Sequence, residues 1–272
     1  LLILTPDEFE AALQPLVDLK EATGFGVTVL TLEQIHYFWS PGDSGAASPD
    51  EVKRIIRLFD SAYGIGYVML VGDVNKFPVR WQLGHLVDYQ VEGITNASVP
   101  LDQVFLPSDF YYADLYDASG AYNDWDADGD GYYGEIYASN LNSDRMDFNP
   151  DVAVARIPAA DESQLQTYVG KVIRYEFNDS SFWFDRALLI QKGWSRSIAS
   201  KENIASHLGS YGVDAKRLYQ DIAATDYSGV IDGAPTSANI SAWINVGAGF
   251  VSHLYHGQPD EWQTMYGINN IR

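Results

Sequence analysis

The chain alternates between short apolar runs and longer stretches whose apolar residues recur every three or four positions. Residues 1–5 form a continuous apolar run closed by Pro6 and read as a buried strand. A helix is expected from Thr5, with Asp7 and Glu8 in its first turn, Phe9, Leu13, Leu16, Val17 and Leu19 on its apolar face, and Gly24 as its stop. Val27-Thr28-Val29-Leu30 is a second β-rich run, and a Pro/Gly/Ser/Ala loop covers 40–49. Ser48-Pro49-Asp50-Glu51 then has the form of an N-cap with proline at the first helical position, leading into Val52, Ile55, Ile56, Leu58 and Phe59. Residues 67–71 are an apolar strand ending in Gly72-Asp73.

Residues 76–150 carry no long helical period and are rich in Asp, Gly, Asn and Tyr, as suits an ordered, functional excursion. Residues 152–157 restore a strand, and a helix from about Asp161 to Asn178 places Leu165, Tyr168, Val169, Val172, Ile173 and Phe177 on one face. The pattern restarts near 179–185. A strand at 186–190, a helix at 197–211, a strand at 213–219, a short helix at 237–245 capped by Ser237, and a last strand at 250–255 follow. Buried-looking strands separated by helices predict an α/β fold with a mostly parallel, doubly wound sheet. The division near 180 predicts two side-by-side α/β units, residues 1–180 and 181–272, the first carrying the excursion. Ligands of such sheets gather at the carboxyl ends of the strands, which brings Asp73 to a cleft edge and His256-Gly257 to the end of the last strand.

Composition narrows the function. The 272 residues carry a net charge of −20, with 37 acidic against 17 basic side chains. A nucleic-acid backbone or an anionic membrane surface needs the opposite balance, so neither is an expected partner. There are no cysteines, which excludes disulfides, thiolate metal sites and a cysteine nucleophile within these residues. No apolar run approaches the roughly eighteen residues of a membrane span. The opening residues lack a basic region before them and end abruptly at Pro6-Asp7-Glu8, so a strand opening a trimmed chain is expected rather than a signal segment.

The clearest chemical pattern is Trp125-Asp126-Ala127-Asp128-Gly129-Asp130-Gly131-Tyr132-Tyr133-Gly134-Glu135. Carboxylates at alternate positions converge on one cation as the chain wraps around it. Gly131 permits the sharp turn, and the Tyr132 carbonyl falls where an EF-hand supplies its backbone ligand. The twelfth position is Tyr137, so the late carboxylate is Glu135 at position ten, and the pattern is a shortened calcium loop without flanking helices. A polar turn holding no ion is the alternative, and it would leave Asp124, Asp126, Asp128 and Asp130 repelling one another. A Ca2+ site of Asp126, Asp128, Asp130, Tyr132 and Glu135 is therefore expected, and with it a secreted, extracellular protein. Halophilic adaptation would produce a similar charge balance.

A histidine before glycine at a strand end can project its imidazole into a cleft, yet by itself it is more often packed. His253 is the internal competitor, while His36, His85 and His207 look structural. Taken together, residues 69–73, Ser108-Asp109-Phe110-Tyr111-Tyr112-Ala113-Asp114-Leu115, the 125–135 loop, Asp151-Val152-Ala153-Val154-Ala155-Arg156-Ile157-Pro158 and His256-Gly257 with Trp262 resemble the catalytic domain of gingipain-like cysteine peptidases, within the caspase-like group. The resemblance implies that His256 is the catalytic histidine. It also implies that Asp151, where gingipains have glutamate, orients that histidine, and that the amide near Gly257 helps hold the oxyanion. It places the nucleophilic cysteine on the next strand, some thirty residues on, whereas this sequence runs sixteen residues past His256 and has no cysteine. The resemblance thus implies a calcium-stabilised endopeptidase acting on protein or peptide substrates, inactive as this chain alone. Its thiol would come from a missing segment or a second polypeptide, or the exposed strand edge would be covered by self-association. A non-catalytic calcium-binding structural or adhesion module and an inactive peptidase homologue are the alternatives.

Overall fold

The computed structural model describes residues 1–85, 103–136, 144–177, 182–192, 196–220, 231–256, 261–262 and 266–267. The chain divides into two compact units, Leu1–Phe177 and Asn178–Arg272.

The first unit opens with β1 (Leu2–Thr5), followed by two short 3-10 turns, Asp7–Phe9 and Ala11–Leu13, before α1 (Gln14–Ala22). The single helix expected from Thr5 is broken because Pro15 has no N–H and its ring collides with the carbonyl four residues back. The helix restarts with Pro15 in its first turn, where no donor is needed. The apolar face survives the break: Phe9, Leu13, Leu16 and Leu19 are all buried. After β2 (Thr28–Thr31) comes α2 (Leu32–Trp39), a helix that sequence reading passed over. A capping box starts it. Gln34 N donates to the Thr31 hydroxyl (3.2 Å), and Thr31 N donates to Gln34 Oε1 (3.1 Å). The next helix, α3 (Pro49–Tyr63), begins at the expected Ser48 cap and ends at Gly64, whose φ of 60° closes it in the left-handed conformation.

Then come β3 (Tyr67–Val71), β4 (Arg80–His85), β5 (Gln103–Ser108), α4 (Phe110–Ala113), β6 (Tyr133–Ile136), β7 (Ala153–Ile157) and α5 (Glu162–Glu176). The main sheet has the order β2-β1-β3-β7 with every pairing parallel. Alternation along β1 sends Ile3 to one side, against α1 and α5, and Leu2 and Leu4 to the other, against α2 and α3. Helices on both faces explain why these strands read as unbroken apolar runs. The excursion forms a small separate sheet, β5-β4-β6.

The second unit contains β8 (Arg186–Gln191), α6 (Arg196–Gly209), β9 (Asp214–Tyr219), α7 (Ser237–Val246) and β10 (Phe250–Leu254), with a short ladder of β11 (Glu261–Trp262) and β12 (Tyr266–Gly267). Its sheet runs β10-β8-β9, all parallel. Ala187 and Leu189 pack with Ile198 and Ala205 of α6, while Leu188 and Ile190 pack with Ile240 of α7. The cap of α7 is Thr236, not the expected Ser237. Thr236 is still extended (φ −87°, ψ 155°) and its hydroxyl accepts Asn239 N, while Ser237 has already entered the helix. Among the described residues β10 has one neighbour, β8, and so forms a sheet edge.

Candidate active site and calcium loop

Strand β10 separates the two competing histidines. His253 lies opposite Ile190 of β8 and stacks on Trp262, with ring centroids 4.6 Å apart and planes 10° apart. Its Nε2 is buried without a hydrogen-bond partner among the described residues. Burial, reinforced by the charge of Lys201, lowers its pKa, so this ring is packed and held neutral. His256 follows the end of β10, is exposed, and meets Tyr255 edge-to-face at 5.0 Å. A ring that must reach a substrate belongs in the second setting. Gly257 lies outside the described residues. Behind β10, the buried Lys201 ammonium donates to Ser252 Oγ at 2.5 Å, and burial brings the lysine down to about 8.

Asp151 sits just before β7, at the amino end of that strand, and is exposed. Its Oδ2 accepts the backbone amides of Leu115 (2.6 Å) and Tyr116 (3.0 Å), and its own N–H donates to the Ala113 carbonyl (2.8 Å). These contacts fix the carboxylate against the 113–116 segment. Asp73, at the carboxyl end of β3, accepts Asn75 N with Oδ1 (2.9 Å) and so stabilises its own turn.

The 125–135 loop turns back on itself. Gly129 and Gly131 take φ of 77° and 84°, and one oxygen from each of Asp126, Asp128 and Asp130 lies within 4.8 Å of the others. Gly131 N donates to Asp126 Oδ1 (3.2 Å), and Tyr132 N donates to Asp130 Oδ1 (2.8 Å). The neck of the loop is closed by Gly134 N donating to the Trp125 carbonyl (2.9 Å). Gly134 has φ 66°, and a Cβ there would come within 2.8 Å of the Trp125 ring, so only glycine fits. Glu135 is buried in β6, and its N–H donates to Asp144 Oδ2 (2.7 Å).

Asp144 is the residue that sequence reading missed. It is fully buried, and its Oδ1 accepts Ala127 N (3.1 Å), so one carboxylate holds both the start and the end of the loop. Burial raises its pKa to about 6 despite those two donors, and the Asp128 and Glu135 carboxylates push it the same way. A buried carboxylate beside further carboxylates fits a site completed by a cation, which would supply the balancing positive charge. Nothing local in the sequence marked Asp144, because its role depends on a tertiary contact.

A sequence profile of peptidase family C25 matches residues 1–272. Among solved structures, the complex of the pro- and mature domains of RgpB from Porphyromonas gingivalis is similar. The TM-score is 0.64 at 19% identity, over 98% of this chain and 50% of that one. A second structure, described as a protease, gives a TM-score of 0.56 at 16% identity, over 96% of this chain and 46% of that one. The chain thus spans about half the length of the structures it matches, and at these identities the likeness shows a common fold. No curated protein sequence gives a significant match. With a profile match over every residue, the chain belongs to peptidase family C25, the gingipain family.

Proposed function

We propose that this chain is a major part of the catalytic domain of a secreted, calcium-stabilised cysteine endopeptidase. Family membership supports the reaction class, and the exposed His256 at the end of β10, set against the packed His253, carries the assignment of the histidine. The thiol comes from outside these 272 residues, which hold no cysteine, so the chain alone does not cleave peptides. In the complete enzyme the thiol gives its proton to His256 and its sulfur attacks the scissile carbonyl carbon. As the tetrahedral intermediate collapses and the C–N bond breaks, the imidazolium passes that proton to the leaving amine. Asp151 holds the ring in the productive tautomer, and amides near Gly257 stabilise the oxyanion. The edge of β10, where Phe250, Val251 and Leu254 are exposed, is where the segment bearing the thiol, a second polypeptide or another copy adds. Iodoacetamide treatment of the longer polypeptide should abolish hydrolysis of a peptide substrate. Undiminished hydrolysis would remove the cysteine mechanism, and no hydrolysis before treatment would favour an inactive homologue or a calcium-binding structural module.

Asp126, Asp128 and Asp130 hold the calcium, with the Tyr132 carbonyl and Glu135 completing its shell and Asp144 fixing the loop behind them. When bound, the ion supplies charge balance and rigidity. A ligand that binds only the native state stabilises it by about 2.7 kcal/mol at a hundred times its dissociation constant. Adding EDTA should therefore lower the melting temperature by several degrees, and restoring calcium should reverse the change. A melt indifferent to both additions would reject the site.

A further inference from the structure

We propose that the calcium loop positions Asp151 through the indole of Trp125 and the buried carboxylate of Asp114. This rests on the calcium reading above and on the assignment of Asp151, and it makes Asp114 and Trp125 positioning residues with no part in bond making. Trp125 immediately precedes the first metal-binding aspartate, is buried, and adopts φ 66°, a left-handed conformation uncommon for any residue but glycine. Its Nε1–H donates to Asp114 Oδ2 at 2.6 Å, and its carbonyl closes the neck of the loop by accepting Gly134 N.

Asp114 needs that bond. It is fully buried, and its other oxygen has no hydrogen-bond partner among the described residues. The countercharge is Lys53, also fully buried, whose ammonium lies 4.1 Å from the Tyr111 ring centroid and has no hydrogen-bond acceptor among the described residues. Burial brings Lys53 down to about 7 and Asp114 up to about 6; each group's charge partly offsets the other's shift. A pair desolvated to this degree tolerates little loss. If the indole leaves, the Asp114 carboxylate keeps its burial cost and loses its hydrogen bond.

Asp114 also lies in the segment that cradles Asp151. The residue before it supplies the carbonyl that accepts Asp151 N, and the two residues after it supply the amides that bind Asp151 Oδ2. On the loop side, Asn123 N donates to the Leu115 carbonyl (3.0 Å), and Tyr116 pairs with Tyr122 in an antiparallel bridge. The segment is thus stitched to the approach of the calcium loop along one edge and to Asp151 along the other. Trp125–Asp114 is the side-chain link from the loop neck to this segment, beside the backbone contacts of Asn123 and Tyr122, and release of the ion loosens it.

Hydrogen exchange at the Leu115 and Tyr116 amides tests this in the 272-residue chain, with terbium luminescence reporting occupancy of the loop. Saturating calcium should slow exchange at both amides by about tenfold or more. Trp125→Phe keeps an aromatic ring, though a smaller one, and deletes the donor. It should still bind terbium, but calcium should no longer slow the two amides. Asp114→Asn retains an oxygen acceptor and should keep the calcium response, whereas Asp114→Leu should lose it. That pair decides the matter if Trp125→Phe fails to fold. Terbium binding with exchange at 115 and 116 indifferent to calcium would overturn the coupling and leave the calcium site standing. A full calcium response in Trp125→Phe would do the same. Absence of terbium binding to the unaltered chain would remove both.

Discussion

Replacing His256 by alanine in the complete enzyme should abolish peptide hydrolysis, with a loss of about 10³-fold or more, while the calcium-dependent gain in melting temperature stays intact. His256 and the 126–130 carboxylate loop belong to separate units, so a chemical lesion at the histidine should leave the stability proposed for calcium at the loop. His253→Ala should behave in the opposite way. That ring is stacked on Trp262, held neutral by burial, and its Nε2 has no hydrogen-bond partner among the described residues, so its loss removes packing in the second unit at about 1–2 kcal/mol. Folded His253→Ala enzyme should retain activity within a fewfold of the unaltered protein. Rates normalised to folded protein decide the question. An enzyme silenced by His253→Ala and still active with His256→Ala would reverse the assignment of the two rings.

The parallel sheets were legible because strands buried on both faces leave unbroken apolar runs, and each helix between them repeats its apolar residues at helical spacing. The failures share a different cause. The eight residues of α2 follow directly on β2, with no loop or glycine between them, so a strand signal runs into a helix; only the Thr31–Gln34 capping box separates them. The break at Pro15 is a steric effect that apolar periodicity does not register, since Leu13 and Leu16 are buried on either side of it. Within the candidate site, the proximity of Asp126, Asp128 and Asp130 could be read because it is encoded in alternate positions of one short stretch. Asp144 could not, because what makes it matter is burial between Ala127 and Glu135. Lys53 is the extreme case. A lysine in an amphipathic helix is ordinarily solvated, and here it is enclosed by aromatic rings supplied from residues about sixty to seventy positions away. The contact of Asp151 with the amides of 115 and 116 belongs to the same class of long-range fact.

Arg156→Ala should be the most destabilising single change in the first unit, costing about 3–5 kcal/mol. The side chain leaves β7 between the end of β3 and the start of α4, and only 11% of it is exposed. Its Nε and Nη2 grip Asp109 as a fork, at 2.7 and 2.6 Å. Nη1 donates to the carbonyls of Gly72 (2.9 Å) and Phe77 (3.2 Å), and Nη2 donates also to that of Pro78 (3.2 Å). One guanidinium therefore satisfies three carbonyls of the turn that leads out of β3 and a carboxylate at the head of α4. Alanine strips the Gly72 and Phe77 carbonyls and the Asp109 carboxylate of this donor at once, and leaves the Pro78 carbonyl with the Tyr112 hydroxyl (2.8 Å). Arg156→Lys keeps the charge but reaches only part of this set, so it should fall between the two, nearer alanine. Asp109→Ala leaves the arginine with its three carbonyls and should cost less than Arg156→Ala. The double substitution should then cost less than the sum of the singles by at least about 1 kcal/mol, since the shared fork is lost only once. At about 2–4 °C per kcal/mol, Arg156→Ala should lower the melting temperature of this unit by about 10 °C. A loss below about 1 kcal/mol would show that the carbonyls find water or other donors, and that the fork is a surface ion pair of ordinary, small value.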